Sequence, residues 1–336
     1  MTAAKENPLK VVDVANLDAK TADQILEGFA TQGFLFVDGH DFTQEEVDHF
    51  FELSKQYFAL PQEVKDKQAI DADNCGYTSF HQEKLDPKLQ LRGDPKEAFN
   101  FGLFNFITGD CKKEQLPELF AYGSENYKFI NKMSKKYFEL GSRILNLLAI
   151  GLKIDENEGG VNWFSDRHRT EGTSMTTMRV LHYPPSSKLD GDQVIRAGAH
   201  TDYGAITLLF QQKGQEGLEL FDTTENWKPI PYVESANAEY RAQGKAAPIV
   251  VNIADQLSFW TNKVLKSTPH RVLVPNDVDR YSIVFFFHAD NDVRLTPIPS
   301  PIVKAAAQPG QYDNKKPEDY ITSKEYLLKR LKDTYA

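Results

Sequence analysis

The spacing of apolar side chains changes character near Thr173. Before that point apolar positions recur at helical intervals. Ile25, Leu26, Phe29 and Ala30 follow Thr21-Ala22-Asp23-Gln24, which reads as a capping box, and Gly33 offers a stop. Phe34-Leu35-Phe36-Val37 then reads as a short buried strand. Thr43-Gln44-Glu45-Glu46 reads as a second capping box, with Val47, Phe50, Phe51, Ser54 and Phe58 on the face behind it. Pro61 lies just past its end. A third helix is expected over about 124–152, with Tyr127, Ile130, Tyr137, Ile144 and Leu148 on its inner face.

Beyond Thr173 the apolar runs become short and β-like: 178–183, 205–210, 218–221, 249–253, 257–260, 270–274 and 281–288. Turn-rich segments such as Pro184-Pro185-Ser186-Ser187 and Pro275-Asn276-Asp277 separate them. Regularly spaced short strands predict a sandwich or barrel. The lack of strand–helix–strand alternation argues against a Rossmann fold or an eight-fold barrel. Helix returns only over about 323–335. The segment 234–248 carries no strand or strong helix pattern and is expected to be an exposed, mobile connection, a lid in its functional version.

Composition adds limits to this picture. Of 336 residues, 40% are hydrophobic and 26% charged, ordinary values for a chain that buries a large core. The 22 Phe and 14 Tyr favour a strand-rich interior. A net charge of −9 with no basic run makes nucleic acid and anionic membrane poor partners. The N-terminal residues lack a signal peptide's apolar stretch, and no segment approaches the ~18 apolar residues of a membrane span. A cytoplasmic, reducing setting is the expectation. The two cysteines, Cys75 and Cys111, are too few for a thiol-based zinc site or a disulfide framework.

The chemistry concentrates in three short segments. In Gly198-Ala199-His200-Thr201-Asp202, an extended strand would point His200 and Asp202 to one face. His270, in Ser267-Thr268-Pro269-His270-Arg271, opens a later strand and can supply a third ligand. Two histidines and one carboxylate on one side of a metal form the facial arrangement of non-haem iron(II) oxygenases. Zinc accepts the same donors, and a lone His-x-Asp also occurs as a plain hydrogen-bonded pair. Arg280 and Ser282 share a face of the next strand, where a guanidinium fork and a hydroxyl make a carboxylate clamp. Around them Ile283-Val284-Phe285-Phe286-Phe287 is apolar, so a buried arginine there needs a partner: an internal acid, or a dicarboxylate co-substrate whose oxo-acid end chelates iron. His182 reads as packed or hydrogen-bonded, and His288, ending a strand, as facing solvent.

These segments stand in order with Gly33-Phe34-Leu35-Phe36-Val37, Tyr57-Phe58-Ala59-Leu60-Pro61, Gly76-Tyr77, Asp94-Pro95-Lys96-Glu97-Ala98-Phe99, the 178–185 run, His200-Thr201-Asp202-Tyr203-Gly204 and Val251-Asn252-Ile253-Ala254-Asp255. Together they resemble the isopenicillin N synthase-like family of iron(II), 2-oxoglutarate-dependent dioxygenases, almost end to end from Pro8. The resemblance implies a mixed, mainly β fold: a double-stranded β-helix, or jelly roll, over 173–290. A mostly helical N-terminal region over 8–165 and a C-terminal helix over 317–336 would flank it. It implies His200, Asp202 and His270 as iron ligands, Arg280 and Ser282 as the 2-oxoglutarate clamp, and Tyr183 reaching a carboxylate of co-substrate or substrate. Phe99, Asn100, Phe101 and Phe104, with Trp260, fall where the family lines its substrate pocket. The implied reaction consumes O2 and a small-molecule substrate, releases succinate and carbon dioxide, and hydroxylates by default, with ascorbate as reductant and a monomer or weak homodimer as the working form. Desaturation, ring formation and demethylation need the same site. Two alternatives stay open here: an oxidase of the same fold in which Arg280 binds a substrate carboxylate, and an inactive binding scaffold. Three departures stand out: Leu181 replaces the asparagine of many plant members, Glu216-Gly217-Leu218 replaces Gly-Gly-Leu, and Ala254-Asp255 replaces Gly-Asp.

Overall fold

The computed structural model describes residues 7–86, 90–185, 187, 195–274 and 278–335. The Pro275-Asn276-Asp277 turn and Ser186 lie outside the described residues. Helix α1 (Ala19–Thr31) is capped by Asp18, whose side chain accepts from the Thr21 N–H. Thr21 therefore lies inside the helix and does not open it, a correction to the first capping box. Glycine at residue 33 ends the helix as expected: φ is +73°, and a Cβ would stand 2.2 Å from the Lys266 carbonyl oxygen. Helix α2 (Gln44–Phe58) keeps the capping box, with Thr43 and Glu46 bonded reciprocally. A short α3 (Gln62–Lys65) begins after Pro61. Helix α4 (Glu125–Gly151) is capped by Ser124 and buries the predicted face.

Strands β1 (Val11–Asp13), β2 (Phe34–Asp38), β3 (Gly76–Thr78) and β4 (Glu97–Gly102) come from the N-terminal half. The rest are β5 (Thr177–Tyr183), β6 (Ile195–His200), β7 (Ile206–Gln211), β8 (Leu218–Phe221), β9 (Trp227–Pro229), β10 (Ile249–Ile253), β11 (His270–Leu273) and β12 (Arg280–Phe287). Short helices α5 (Ala238–Ala242), α6 (Asp255–Trp260) and α7 (Pro301–Ala305) interrupt them, and α8 (Ser323–Tyr335) closes the chain. The expected strand at 257–260 is thus helical. Leu257 and Trp260 are buried while Phe259 is exposed, a three-residue spacing that a short apolar run hides.

The strands form a jelly roll of two sheets. The larger runs β1-β2-β10-β7-β12-β5-β4-β3 and the smaller β6-β11-β8-β9. Alternation along each strand sends one set of side chains to each face. Ile283, Phe285 and Phe287 of β12 join the core under α1, α2 and α4, whereas Val284 joins Leu181, Phe34, Val250 and Val272 between the sheets. The segment 234–248 is tied to the β1–β2 edge: Ser235 donates to Asp38, Tyr240 to Asp13, and the Ala246 N–H to the Phe42 carbonyl. None of its residues borders the cavity described below.

Phe285 is fully buried, and its ring stacks on Tyr137 of α4 at 5.1 Å. Phe285→Ala is expected to cost about 3–5 kcal/mol of stability. A lower urea midpoint at unchanged m-value would register it.

Candidate active site

The two sheets meet at the open end of the jelly roll around three side chains. His200 ends β6 and His270 begins β11, and the two are direct cross-strand partners with ring centroids 4.3 Å apart. Asp202 is not on the strand that carries His200; β6 stops at His200 and the chain turns. The Asp255 N–H donates to the Asp202 carbonyl and holds that turn. Asp202 Oδ1 comes to 3.7 Å from His200 Nε2 and 3.5 Å from His270 Nε2. The three donor atoms lie within 4.8 Å of one another, in mostly buried surroundings.

Each ligand-type atom is aimed by a bond on its far side. The Nδ1 of His200 donates to the Gly198 carbonyl at 2.7 Å, and that of His270 to the Thr268 carbonyl at 3.1 Å. That leaves both Nε2 atoms facing the centre. The other oxygen of Asp202 accepts from Thr207 Oγ1 at 2.7 Å and Asn252 Nδ2 at 2.8 Å. Against its burial, the neighbouring His270 and His200 hold the Asp202 carboxyl well below its usual range. Burial, then the charge of His270, pushes His200 down to about 4. Asp202 raises His270 against the lowering effect of burial. The centre of the cluster thus favours a positive charge, and a cation bound there would take the place of that proton. An all-nitrogen-and-oxygen donor set grouped on one side fits a divalent transition metal such as iron(II).

A cavity opens from this cluster between the sheets. Leu181, Tyr183, Leu218 and Val284 border one end of it. Behind Tyr183 lies Arg280, fully buried, with its guanidinium 4.9 Å from the Tyr183 ring centroid. Its Nη1 donates to Ser282 Oγ at 3.3 Å, whereas Nε and Nη2 have no hydrogen-bond partner among the described residues. Burial lowers its pKa from the ordinary value, against the opposing pull of the Tyr183 hydroxyl and the Glu216 carboxylate. Orphaned guanidinium nitrogens beside a hydroxyl fit the far carboxylate of a dicarboxylate ligand. A glycine is needed at residue 217 on the chain beside them: a Cβ there would stand 2.0 Å from the Leu273 carbonyl oxygen and 3.3 Å from Arg280 Nε.

The other end of the cavity is built by residues that the sequence motifs did not single out. Arg179, Glu83, Asn74, Thr177 and Phe286 border it, and Leu327 and Leu331 of α8 reach it from outside the jelly roll. Arg330 of the same helix pairs with Asp255 at 2.6 Å, and Asp255 also accepts from Thr201 and Ser267, next to the metal-type ligands. His288 borders the cavity and is buried, not solvent-facing, and it lies outside the three-residue cluster. His182 bridges Glu97 at 2.8 Å and Asp279 at 2.6 Å, as its polar reading implies. The five expected substrate contacts are not among the cavity's bordering residues. Phe99, Phe101 and Phe104 pack in the core on the helix side of the large sheet, Asn100 donates to Asn74, and Trp260 donates to the Thr296 carbonyl. Strand alternation puts Phe99 and Phe101 on one face, and that face is the helix side.

The profile of the 2OG-Fe(II) oxygenase superfamily matches residues 175–289, and that of the non-haem dioxygenase in morphine synthesis N-terminal domain matches residues 9–118. The chain is 30% identical to the 2-oxoglutarate-dependent dioxygenase citB of Monascus ruber over 347 residues, covering 95% of this chain and 92% of that one. It is 30% identical to a 2-oxoglutarate-Fe(II) type oxidoreductase of Aspergillus fumigatus over 290 residues, 82% and 78% of the two chains. Among solved structures it is similar to a full-length Neurospora crassa protein crystallised in complex with alpha-KG and thymine, at a TM-score of 0.75 and 26% identity over 100% of both chains.

The cavity wall carries a pH signature of its own. Glu83, buried between Arg179 and Lys96, is held at about 2 by those two cations despite its burial. Because its folded pKa lies below its ordinary 4.5, its stabilisation is full above that value and drains away as pH falls toward 2. Urea melts from pH 5 to 2 are expected to show a shallower acid loss in Glu83→Gln than in the unaltered protein; equal slopes would remove Glu83 from the acid limb.

Proposed function

The chain belongs to the 2OG-Fe(II) oxygenase superfamily, and from that premise we propose which residues carry its reaction. It is an iron(II)- and 2-oxoglutarate-dependent dioxygenase acting with O2 on a small molecule. His200, Asp202 and His270 hold the iron; Arg280 and Ser282 grip the distal carboxylate of 2-oxoglutarate, with Tyr183 closing over that end. The observation that carries this reading is the pair of orphaned guanidinium nitrogens on Arg280, on the strand opposite Tyr183. When bound, iron(II) and 2-oxoglutarate supply O2 activation by oxidative decarboxylation, yielding succinate and carbon dioxide while a substrate C–H bond is oxidised, hydroxylation being the default outcome.

The protein's own contribution is placement and dryness. Thr207 and Asn252 hold one oxygen of Asp202 so that the other stays turned to the two imidazoles. The carbonyls of Gly198 and Thr268 keep both imidazoles in the tautomer that offers Nε2. Leu327 and Leu331 line the cavity and add apolar surface that would help keep water from it. A monomer or weak homodimer in the cytoplasm, with ascorbate as accessory reductant, completes the proposal. A net charge of −9 disfavours nucleic acid and anionic membrane as partners, and among the described residues no helix is long and apolar enough to cross a membrane.

Asp202→Ala is expected to abolish iron binding, read as metal content after anaerobic loading, while His288→Ala retains it. Retention of iron by the Asp202 variant would reject the ligand set.

Arg280→Ala is expected to weaken 2-oxoglutarate while sparing iron. Losing a buried, charge-assisted contact of this kind costs on the order of 2–5 kcal/mol. That corresponds to roughly 30-fold or more in affinity. Arg280→Lys should recover part of it, because an ammonium lacks the planar fork. Anaerobic titration of 2-oxoglutarate into iron-loaded protein reads the affinity through the chelate's absorption band. An unchanged constant in Arg280→Ala would return the arginine to a substrate-carboxylate role.

A further inference from the structure

The three metal-type ligands are fixed through their backbone by one acid, and that acid is held from outside the jelly roll. Thr201, between His200 and Asp202, donates to Asp255 Oδ2 at 2.9 Å. Ser267, three residues before His270, donates to Asp255 Oδ1 at 2.7 Å. The Asp255 N–H donates to the Asp202 carbonyl at 2.8 Å. Asp255 itself lies outside the three-residue cluster, so it acts on the ligands through the chain on either side of them.

The cation opposite that acid comes from α8. Arg330 Nη2 stands 2.6 Å from Asp255 Oδ2, and Tyr326, one turn earlier, donates its hydroxyl to the Asp255 carbonyl at 3.2 Å. The Arg330 guanidinium also lies 5.4 Å from the ring centroid of Tyr203, the residue after Asp202. An ion pair at a half-exposed arginine is ordinarily a surface contact of little weight. Here the carboxylate side chain is only 14% exposed and its two oxygens serve Thr201, Ser267 and Arg330 together. A change at one partner is then felt by the other two.

The helix depends on this tie as well. Its 13 residues are about the length at which an isolated helix is marginal in water. The first turn is anchored apart from Asp255: the Ser323 N–H donates to the Val293 carbonyl, its hydroxyl to the Ala289 carbonyl, and Gln256 Nε2 to the Ser323 carbonyl. The second half carries Leu327 and Leu331, which border the cavity, and there Arg330 supplies the polar tie.

We propose that Asp255 is a positioning residue for the iron centre and that Arg330 completes it, so that docking of the second half of α8 and binding of iron(II) strengthen each other. The proposal rests on the reading that His200, Asp202 and His270 hold the iron. A metal that needs these ligands in one geometry favours the state in which Asp255 holds their backbone, and reciprocity makes that state favour the docked helix.

Arg330→Gln separates this from plain electrostatics, because the two effects have opposite signs. Removing a cation near the triad leaves it more negative, and Coulomb's law alone would tighten iron(II). Releasing Asp255 loosens all three ligands and weakens it. Anaerobic competition for iron(II) against a chromophoric chelator reads the affinity. Arg330→Gln is expected to weaken iron(II) about fivefold or more, the lower end of ordinary coupling between sites. Arg330→Lys, which keeps the charge, is expected to recover part of the loss. Lys329→Gln makes the same charge change at the exposed neighbouring residue and is expected to leave the affinity unchanged. Hydrogen exchange gives a second readout without turnover. The amides of 327–331 are expected to exchange more slowly with iron(II) bound in the unaltered chain, and Arg330→Gln is expected to abolish that difference. A merely structural ion pair would loosen α8 equally with and without metal. Tighter or unchanged iron(II) in Arg330→Gln, an equal loss in Lys329→Gln, or exchange indifferent to iron(II) in the unaltered chain overturns the proposal. If Asp202→Ala retains iron, the ligand reading has failed and the proposal falls with it; iron lost there but kept in Arg330→Gln sinks this proposal alone.

Discussion

Asp202 is where the two sheets of the jelly roll are joined by chemistry and not by packing alone. One of its oxygens is bonded to Thr207 and Asn252, on β7 and β10 of the large sheet. The other faces His200 and His270, on β6 and β11 of the small sheet. A buried carboxylate is costly unless its lone pairs are satisfied. Two hydrogen bonds on one side satisfy part of that demand and fix the orientation; the imidazoles, and a cation between them, satisfy the rest. Everything nearby serves that orientation. Asp255 donates its N–H to the Asp202 carbonyl and accepts from Thr201 and Ser267, so one acid pins the segments leading to all three ligand-type residues. Asp94, fully buried, accepts from the Gly198 N–H and fixes β6 just before His200.

The parts of this arrangement that rest on a simple period are legible in the sequence. Strands β5, β8, β10, β11 and β12 fall within about a residue of where two-residue alternation puts them, and the long helix α4 where its apolar stripe puts it. The parts that differ are those where two rules compete over a few residues. Residues 257–260 fit either period, and burial of Leu257 with Trp260 makes them a helix. Asp18 and Thr21 can each cap a helix, and the carboxylate three residues earlier does so. His200 and Asp202 do meet, although not by sharing a strand: β6 ends at the histidine and a main-chain bond to Asp255 brings the carboxylate round. Alternation correctly groups Phe99 with Phe101, yet periodicity cannot say which of two buried faces looks onto a cavity and which onto helices. A related limit hides the burial of His288, since the residue after a strand's last pair can be as buried as the strand.

Charge pairing separates the two ends of the interior more sharply than shape does. Among the cations there, Lys96 is pinned between Glu83 and Asp94, and Arg179 meets Glu83. Arg280 instead keeps guanidinium nitrogens with no hydrogen-bond partner among the described residues, packed against the Tyr183 ring. A buried guanidinium left in this way is destabilising, a local cost that the proposed dicarboxylate would relieve on binding. The departure Glu216-Gly217-Leu218 falls beside this point, and the glycine it retains is the one whose Cβ would collide with the Leu273 carbonyl and crowd Arg280. The first glycine of the family pattern is dispensable by comparison, because its replacement, Glu216, is only half-buried.

This division explains why the reaction class could be read from short motifs and the substrate could not. The metal-type ligands and Arg280 all lie in the 175–289 stretch, on or beside strands whose alternation dictates where each side chain points. The other end of the cavity is assembled from three separated parts of the chain: Asn74 and Glu83 from connections around β3, Arg179 from β5, and Leu327 and Leu331 from α8. None of these has a spacing that marks it, since a loop residue is placed by what it bonds to and not by its number in a period. Asn74 is aimed by Asn100, and Glu83 by Arg179 and Lys96. On the proposed reading, loops and the terminal helix could change at that end of the cavity while the strands that carry His200, His270 and Arg280 stay as they are. A jelly roll built this way keeps one reaction and accepts many substrates.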